Sequence, residues 1–498
     1  MKSKYYTLIM SNLRFSNKGI YIIKSIIIIS VILGLSAGCK KFIEVSSPIT
    51  STNAGNVYAT DVTATAVLTS IYTDISYDEG NGIPSGLSST SLYCGLSADE
   101  LTLYSGVSND NLLGYYQNAL KSNLNGGPDF WNKIYSTIFV INSAIEGLDQ
   151  SVTLTDAVKK QLQGEALFMR AFCFFYLVNL YGDIPLIIST DYKVTSIQPR
   201  NSKSDIYQQI TKDLNAAQAL LSDNYLDGTL LTTNTDRVRP NKYTAFALLA
   251  RVNLYMNDYV NAESQSTKVI NNRGTYDTVS LNNVFLNNSK ETIWSLQPVN
   301  NGIFSNTGEG RLFILPETGP STDFPVYLSS TLMTNFEAND KRLDSWVGHV
   351  TISQVPYYYP YKYKIGILDA TPTEYLIVMR LAEQYLIRAE ARAHQGNLGG
   401  ATEDLNVIRT RAGLLSTTAN SQSELLIAIA HERQLEFFTE WGHRWLDLKR
   451  TNTVNNIMPA VTSQKGGFWD SKSALYPIPL YEIQHNPNLL QTPGYETN

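Results

Sequence analysis

The sequence predicts a mostly α-helical protein, a scaffold of tetratricopeptide-like helical pairs interrupted by a long irregular excursion of loops and short strands. Three observations predict it. Two segments 139 positions apart repeat one pattern of small and bulky apolar residues. A third, "LTDAVKKQLQGEALFMRAFCFFYLVNLYGDIPL", carries helical periodicity throughout. Residues 271 to 372, by contrast, are broken by Gly, Asn, Pro and Ser, and only strand-like runs such as "ETIWSLQ" and "YYYPYKYKIGIL" stand out.

Residues 1–38 contain Lys2, Lys4, Arg14, Lys18 and Lys24 and no acidic residue. The apolar run "SIIIISVILGL" follows, then Ser36, Ala37 and Gly38. Basic start, short apolar stretch and small-residue exit are the marks of a secretory signal. The run is too short to span a bilayer, which takes about 20 residues. "LSAGC" resembles the lipobox of bacterial lipoproteins, in which the chain is cut before the cysteine and that residue is acylated. Cys39 is therefore the expected lipidation site, and several acyl chains would hold the protein on a membrane where one would not.

Beyond the leader, "ATAVLTSIYTDI" reads as a helix, and residues 77 to 128, rich in Gly, Ser and Asn, read as loops. "FWNKIYSTIFVINSAIEGL" is helical. In the helix that follows, apolar residues cover nearly the whole surface between Arg170 and Asn179, so it is a buried core helix, stopped by Gly182 and Pro185. It pairs with "SDIYQQITKDLNAAQALL". The two repeated units begin at Ala247 and Gln384, and the shift places Ala250 on Ala389, Tyr259 on Leu398, Ala262 on Ala401 and Val269 on Ile408. Each is a helix, a turn at Asn257 or Gly396, and a second helix approaching through a small alanine. A fourth pair ends in "SQSELLIAIAHERQLEFFTEWGH", where Ser421 and Glu424 form a capping box and Gly442 a C-terminal stop. The chain divides into the leader 1–38, an N-terminal half 39–270 and a C-terminal half 271–498.

Loss of the leader leaves 460 residues and moves the formal charge from −5 to −10. An acidic chain without a basic run is a poor match for nucleic acid. Cys173 reads as a buried apolar residue and Cys94 has no readable role. The histidines His349, His394, His431, His443 and His485 lack metal spacing, and "HERQLEF" lacks a second ligand because position 435 is Leu. No metal or cofactor is expected. Glu432, Glu436 and Glu440 share one helical face, which would suit a glycosidase pair; nearby Arg433 and Arg444 favour ion pairs instead. Tyr357, Tyr359, Tyr361 and Tyr363 alternate as on one face of a strand, with Pro360 marking an edge or bulge. Trp294 reads as a buried strand residue. The 31 tyrosines, set among Ser, Thr and Asn, suit recognition of polar, ring-containing ligands.

Five blocks carry a family resemblance: "ALFMRAFCFFYLVNLYGDIPL", "NKYTAFALLARVNLYMNDY", "RLAEQYLIRAEARAHQGNLGGATEDLNVIRTRAGL", "HERQLEFFTEWGHRWLDLKR" and "LYPIPLYEIQHNPNLLQTPGY". In this order, behind a lipobox cysteine, they resemble the SusD/RagB-like outer-membrane lipoproteins of Bacteroidetes. Thr492, where the family commonly has Asn, is a small departure. The resemblance implies a tetratricopeptide-like scaffold that does no chemistry. It implies a lipid-anchored protein of the outer membrane, facing the cell exterior. Such a protein binds a glycan, or occasionally a peptide or other nutrient, and acts as the lid of a SusC-like TonB-dependent transporter barrel. In "FEANDKRLDSW", Asp340 and Arg342 resemble structural residues of the family. The competing expectation is a helical-repeat scaffold that binds another protein and no small ligand.

Sugar rings stack apolar faces on exposed aromatic rings, while their hydroxyls bond to Asn, Asp and Arg. In the family such residues sit on loops outside the repeats. Here the early loops offer Tyr77, Tyr104, Asn109 and Asp110, and the excursion offers Phe304, Arg311, Phe313 and Tyr327 as ligand-binding candidates. If Cys39 carries the lipid, Cys39→Ser moves the protein from the membrane pellet to the soluble fraction without detergent; continued retention in the pellet contradicts it.

Overall fold

The structure, a computed structural model, describes residues 57–76, 86–125, 127–299 and 305–496. Cys39 and the leader lie outside them. The principal helices of the first half are α1 (Asp61–Ser76), α2 (Thr90–Ser97), α3 (Asp110–Tyr116), α4 (Asn132–Gln150), α5 (Asp156–Tyr181), α6 (Lys203–Leu220), α7 (Lys242–Tyr255) and α8 (Tyr259–Ile270). The second half adds α9 (Gly308–Phe313), α10 (Lys341–Trp346), α11 (Leu381–His394), α12 (Leu398–Arg411), α13 (Gln422–Glu436), α14 (His443–Arg450), α15 (Val454–Gln464) and α16 (Leu480–His485). Six short strands complete it: β1 (Leu101–Leu103), β2 (Thr292–Leu296), β3 (Val326–Leu328), β4 (Val347–Ile352), β5 (Val355–Pro360) and β6 (Leu376–Arg380).

The repeat is visible to the residue. Helices α7 and α11 start and stop 139 positions apart, and so do the starts of α8 and α12. Asn257 and Gly396 both take a positive φ at the turn, and Asp258 and Asn397 cap the second helices. Ala250, Ala389, Ala262 and Ala401 are completely buried, as close helix approach requires. Neighbours stack in sequence: α5 on α6, α6 on α7, α7 on α8, α8 on α11, α11 on α12 and α13. Helix α5 is buried from Phe168 to Tyr181, and a bidentate Arg170–Asp213 pair at 2.8 Å ties it to α6. Among the described residues no helix is long and apolar enough to cross a membrane.

Three expectations need correction. Residues 77 to 128 are not all loop: α2 is buried along its whole length, because its small residues let it enter the core. At Gly95 a Cβ would lie 2.9 Å from the Leu101 side chain. The helix that starts with the Ser421–Glu424 capping box ends at Glu436, and Gly442 (φ 70°) instead opens α14. It also explains Cys94, whose Cβ would be 2.8 Å from a Cβ at 442. Strand β5 ends at Pro360, so Tyr361 and Tyr363 lie beyond it. Cys173 and Trp294 are buried as expected.

The three glutamates are buried in ion pairs, but not with Arg433 and Arg444, which bind Asp447 and Asp99. Arg342 bonds Glu432 at 2.7 Å, Glu436 at 3.2 Å and Asp340 at 2.7 Å. Arg380 bonds Glu291 at 2.9 Å, Glu436 at 2.5 Å and Glu440 at 2.7 Å. Arg411 bonds Glu291 and Glu436, and Lys362 bonds Glu440. Glu432 and Glu436 share one face of α13, but Glu440, expected on that face, lies beyond the helix's end, and the partners come from β6, α10, α12 and the excursion. Burial alone would raise the Glu436 carboxyl, but Arg411, Arg380 and Arg342 outweigh it and hold it well below the usual carboxylate range. Asp447 is likewise lowered by Arg433 and Arg450 against the effect of burial. Glu432 is raised by burial and opposes them.

A carboxyl lowered on folding stabilises the fold above its unfolded pKa, about 4 for Asp and Glu, and loses that contribution as the pH falls below it. The thermal midpoint should therefore hold near neutrality and fall steeply below about pH 4. A midpoint unchanged between neutrality and pH 3 contradicts the network's role.

Candidate functional site at the β1–β3 pair

The early loops and the excursion meet through one antiparallel pair. Leu101 faces Leu328, Thr102 faces Tyr327 and Leu103 faces Val326. The ladder continues beyond the strands, with Tyr104 N donating to Pro325 O at 2.8 Å and Ser329 N to Glu100 O at 2.9 Å. Alternation points Leu101 and Leu103 into the core and leaves Thr102 and Tyr327 facing outward. Beside them opens a cleft of about 290 Å³ lined by Thr102, Tyr116, Tyr327, Asp99, Gln464 and Lys465. Tyr327 is half-buried and meets Tyr357 of β5 edge-on, with ring centroids 5.1 Å apart.

The cleft floor is charged and held in place. Arg444 grips Asp99 through two bonds of 2.8 and 2.7 Å. Lys465 Nζ donates to Leu96 O at 2.6 Å and to Ala98 O, and lies 5.1 Å from the Tyr116 ring centroid. Burial pulls Lys465 down to about 7, against Asp99 and Glu100. Burial, with Asp99, pushes the adjacent Glu100 up to about 8. Aromatic walls with hydroxyl, amide and charged groups at the base suit a polar ligand with apolar ring faces. Among the described residues no His, Cys, Asp and Glu cluster could hold a metal ion.

The candidate residues divide. Tyr104 and Tyr327 are brought together at the β1–β3 pair. Tyr104 packs partly on the core, its ring closed over Gly106. Asn109 is exposed and caps α3, its side-chain oxygen accepting from Leu112 N at 3.0 Å; Asp110 is exposed in the next position. Arg311 is half-buried on α9 and lowered by that burial. Phe313 is 3% exposed and packs in the core, so it presents no face to a ligand. Tyr77 and Phe304 lie outside the described residues. Sequence reasoning missed Thr102, Tyr116, Gln464 and Lys465, which only long-range packing gathers. Tyr357, the ring that Tyr327 meets, belongs to the alternating tyrosine stripe.

The profile of a family described as "Starch-binding associating with outer membrane" matches residues 41–254, and that of the SusD family matches residues 350–495. Together they cover well over half of the sequence. This chain belongs to the SusD family. A SusD-like protein of Formosa agariphila is 28% identical over 421 residues, covering 74% of this chain and 80% of that protein. The starch-binding protein SusD of Bacteroides thetaiotaomicron is 37% identical over 126 residues, 24% of this chain and 21% of that one. Among solved structures, a SusD superfamily protein from Bacteroides vulgatus superposes with a TM-score of 0.74 at 22% identity, covering 87% of this chain and 99% of that one. A laminarin-binding SusD-like protein superposes at 0.71 with 24% identity and the same coverage. The mostly helical, tetratricopeptide-like fold is the fold of these SusD-like structures.

Lys465→Met would strand the carbonyls of Leu96 and Ala98 in the buried floor, at a cost of about 1–3 kcal/mol for each unsatisfied group. Calorimetry should show a lowered thermal midpoint. A midpoint equal to that of the parent protein contradicts this role for the lysine.

Proposed function

We propose that this protein is a lipid-anchored outer-membrane protein on the cell exterior that captures a glycan at the β1–β3 cleft. It delivers the glycan to a SusC-like TonB-dependent transporter barrel as its lid, and performs no chemistry on it. The observation that carries this reading is the polar cleft beside the β1–β3 pair, walled by Tyr116 and Tyr327 with Tyr357 edge-on to Tyr327, in a chain of the SusD family. The names of family and relatives support it: a starch-binding family, a starch-binding protein and a laminarin-binding neighbour. The buried carboxylates Glu432 and Glu436 of α13, and Glu440 just beyond it, support binding over hydrolysis, since each is already committed to arginine or lysine. Asp99 in the cleft is likewise gripped by Arg444.

Calorimetric titration of the full chain in mild detergent with oligosaccharides cut from starch and laminarin tests the site. Tyr327→Ala should weaken binding by about tenfold with the thermal midpoint kept, the loss of one stacking surface being worth about 1 kcal/mol or more. Unchanged affinity in Tyr327→Ala and Tyr104→Ala places the ligand elsewhere. Co-purification of a barrel transporter after gentle solubilisation tests the lid role, and recovery only as a free monomer counts against it.

A further inference from the structure

A second cleft, of about 470 Å³, lies between the start of α4, the segment 185–198 and α16. Its volume falls within the range of small-molecule sites. Phe139, on the outer face of α4, is 55% exposed there, an unusual place for a phenyl ring. Trp131 and Tyr135 continue the wall with centroids 4.8 Å apart, and Tyr135 is fixed by donating to Pro185 O at 2.9 Å.

Opposite stand Glu482 and His485. His485 stacks on Tyr481 with centroids 3.9 Å apart, and its Nδ1 lies 2.8 Å from Tyr481 O. A carbonyl only accepts, so Nδ1 carries the proton and Nε2 is left as the acceptor of the neutral ring. The Glu482 carboxyl, half-buried and raised by that burial with His485 opposing, takes no hydrogen bond from the described residues. Asn132 and Ser196, both exposed, add donors and acceptors at the rim.

We propose that this cleft is a second saccharide-binding site, in which a pyranose lays its apolar face on Phe139 and donates hydroxyls to Glu482. The mixed groups decide the ligand class. A cation site would gather several acids, whereas here one acid stands beside a histidine among amides and hydroxyls. An exposed aromatic face across a cleft from a carboxylate that takes no hydrogen bond from the described residues suits a ring with C–H faces and adjacent hydroxyls. None of the residues of this cleft belongs to the β1–β3 cleft, so the two sites can be tested independently.

Calorimetry on the full chain in detergent, with maltoheptaose and laminarihexaose as probes at millimolar concentration, tests the proposal. The expected result is a binding event that Phe139→Ala and Glu482→Gln each weaken by about tenfold. Phe139→Tyr should preserve that event and Tyr327→Ala should leave it unchanged. Absence of any event sensitive to Phe139→Ala, whether the probes bind only through Tyr327 or not at all, overturns the second site. An event lost with Phe139→Ala while Tyr327→Ala has no effect upholds it and instead removes the β1–β3 cleft as the main site.

Discussion

Glu436 holds the molecule together at the point where its parts join. It ends α13 and receives Arg342 from α10, Arg380 from the end of β6 and Arg411 from α12. Glu291, beside β2, shares Arg380 and Arg411, and Lys362 of the excursion donates to the carbonyls of Glu436 and Phe438. The turn that follows bends through Thr439 and Trp441, both at positive φ, a conformation that non-glycine residues adopt only when surroundings impose it. Ser91 of α2 imposes part of it, accepting from Trp441 N at 3.0 Å while donating to Glu309 of the excursion at 2.5 Å. Burying so many charges costs several kcal/mol of desolvation each, and removing one partner costs about 3–5 kcal/mol. What such a network supplies is a unique arrangement, because each planar arginine fork donates only to carboxylates placed in matching geometry.

That uniqueness matters for recognition. The repeat helices make a stiff stack, but the cleft at β1–β3 is built from segments with little regular structure of their own. Two three-residue strands cannot stand alone in water. They hold their register because Asp99 at one end is bound to α14, and because the excursion that carries β3 is tied to α13 through Arg342 and Lys362. Scaffold and site are joined by electrostatics that water does not reach.

The helical pairs were legible because their information is local: capping residues, period and small alanines lie within one turn of the structure they cause. The 139-residue shift reproduced helix limits for the same reason. Helix α2 was not legible, since Ser, Thr and Gly serve equally for loops and for close packing in a core, and only the neighbours decide. Phe313 looked exposed because its sequence neighbours are loop-like, yet α9 turns it inward. Tyr327 could be named as a candidate, but Thr102 and Tyr116, more than two hundred residues before it, and Lys465, 138 residues after it, could not be placed beside it. That Glu432, Glu436 and Glu440 are ion-paired was readable from the arginines near them in sequence; their actual partners, Arg342, Arg380, Arg411 and Lys362, were not, because they come from distant segments.

The most direct measurement is hydrogen exchange on the full chain carrying Glu436→Gln, which removes the charge and keeps the shape. If the network anchors the excursion, amides of β2, β6, β1 and β3 lose protection together, while α7 and α8 exchange as in the parent protein. Loss confined to the last turn of α13, with the strands as protected as before, would contradict it.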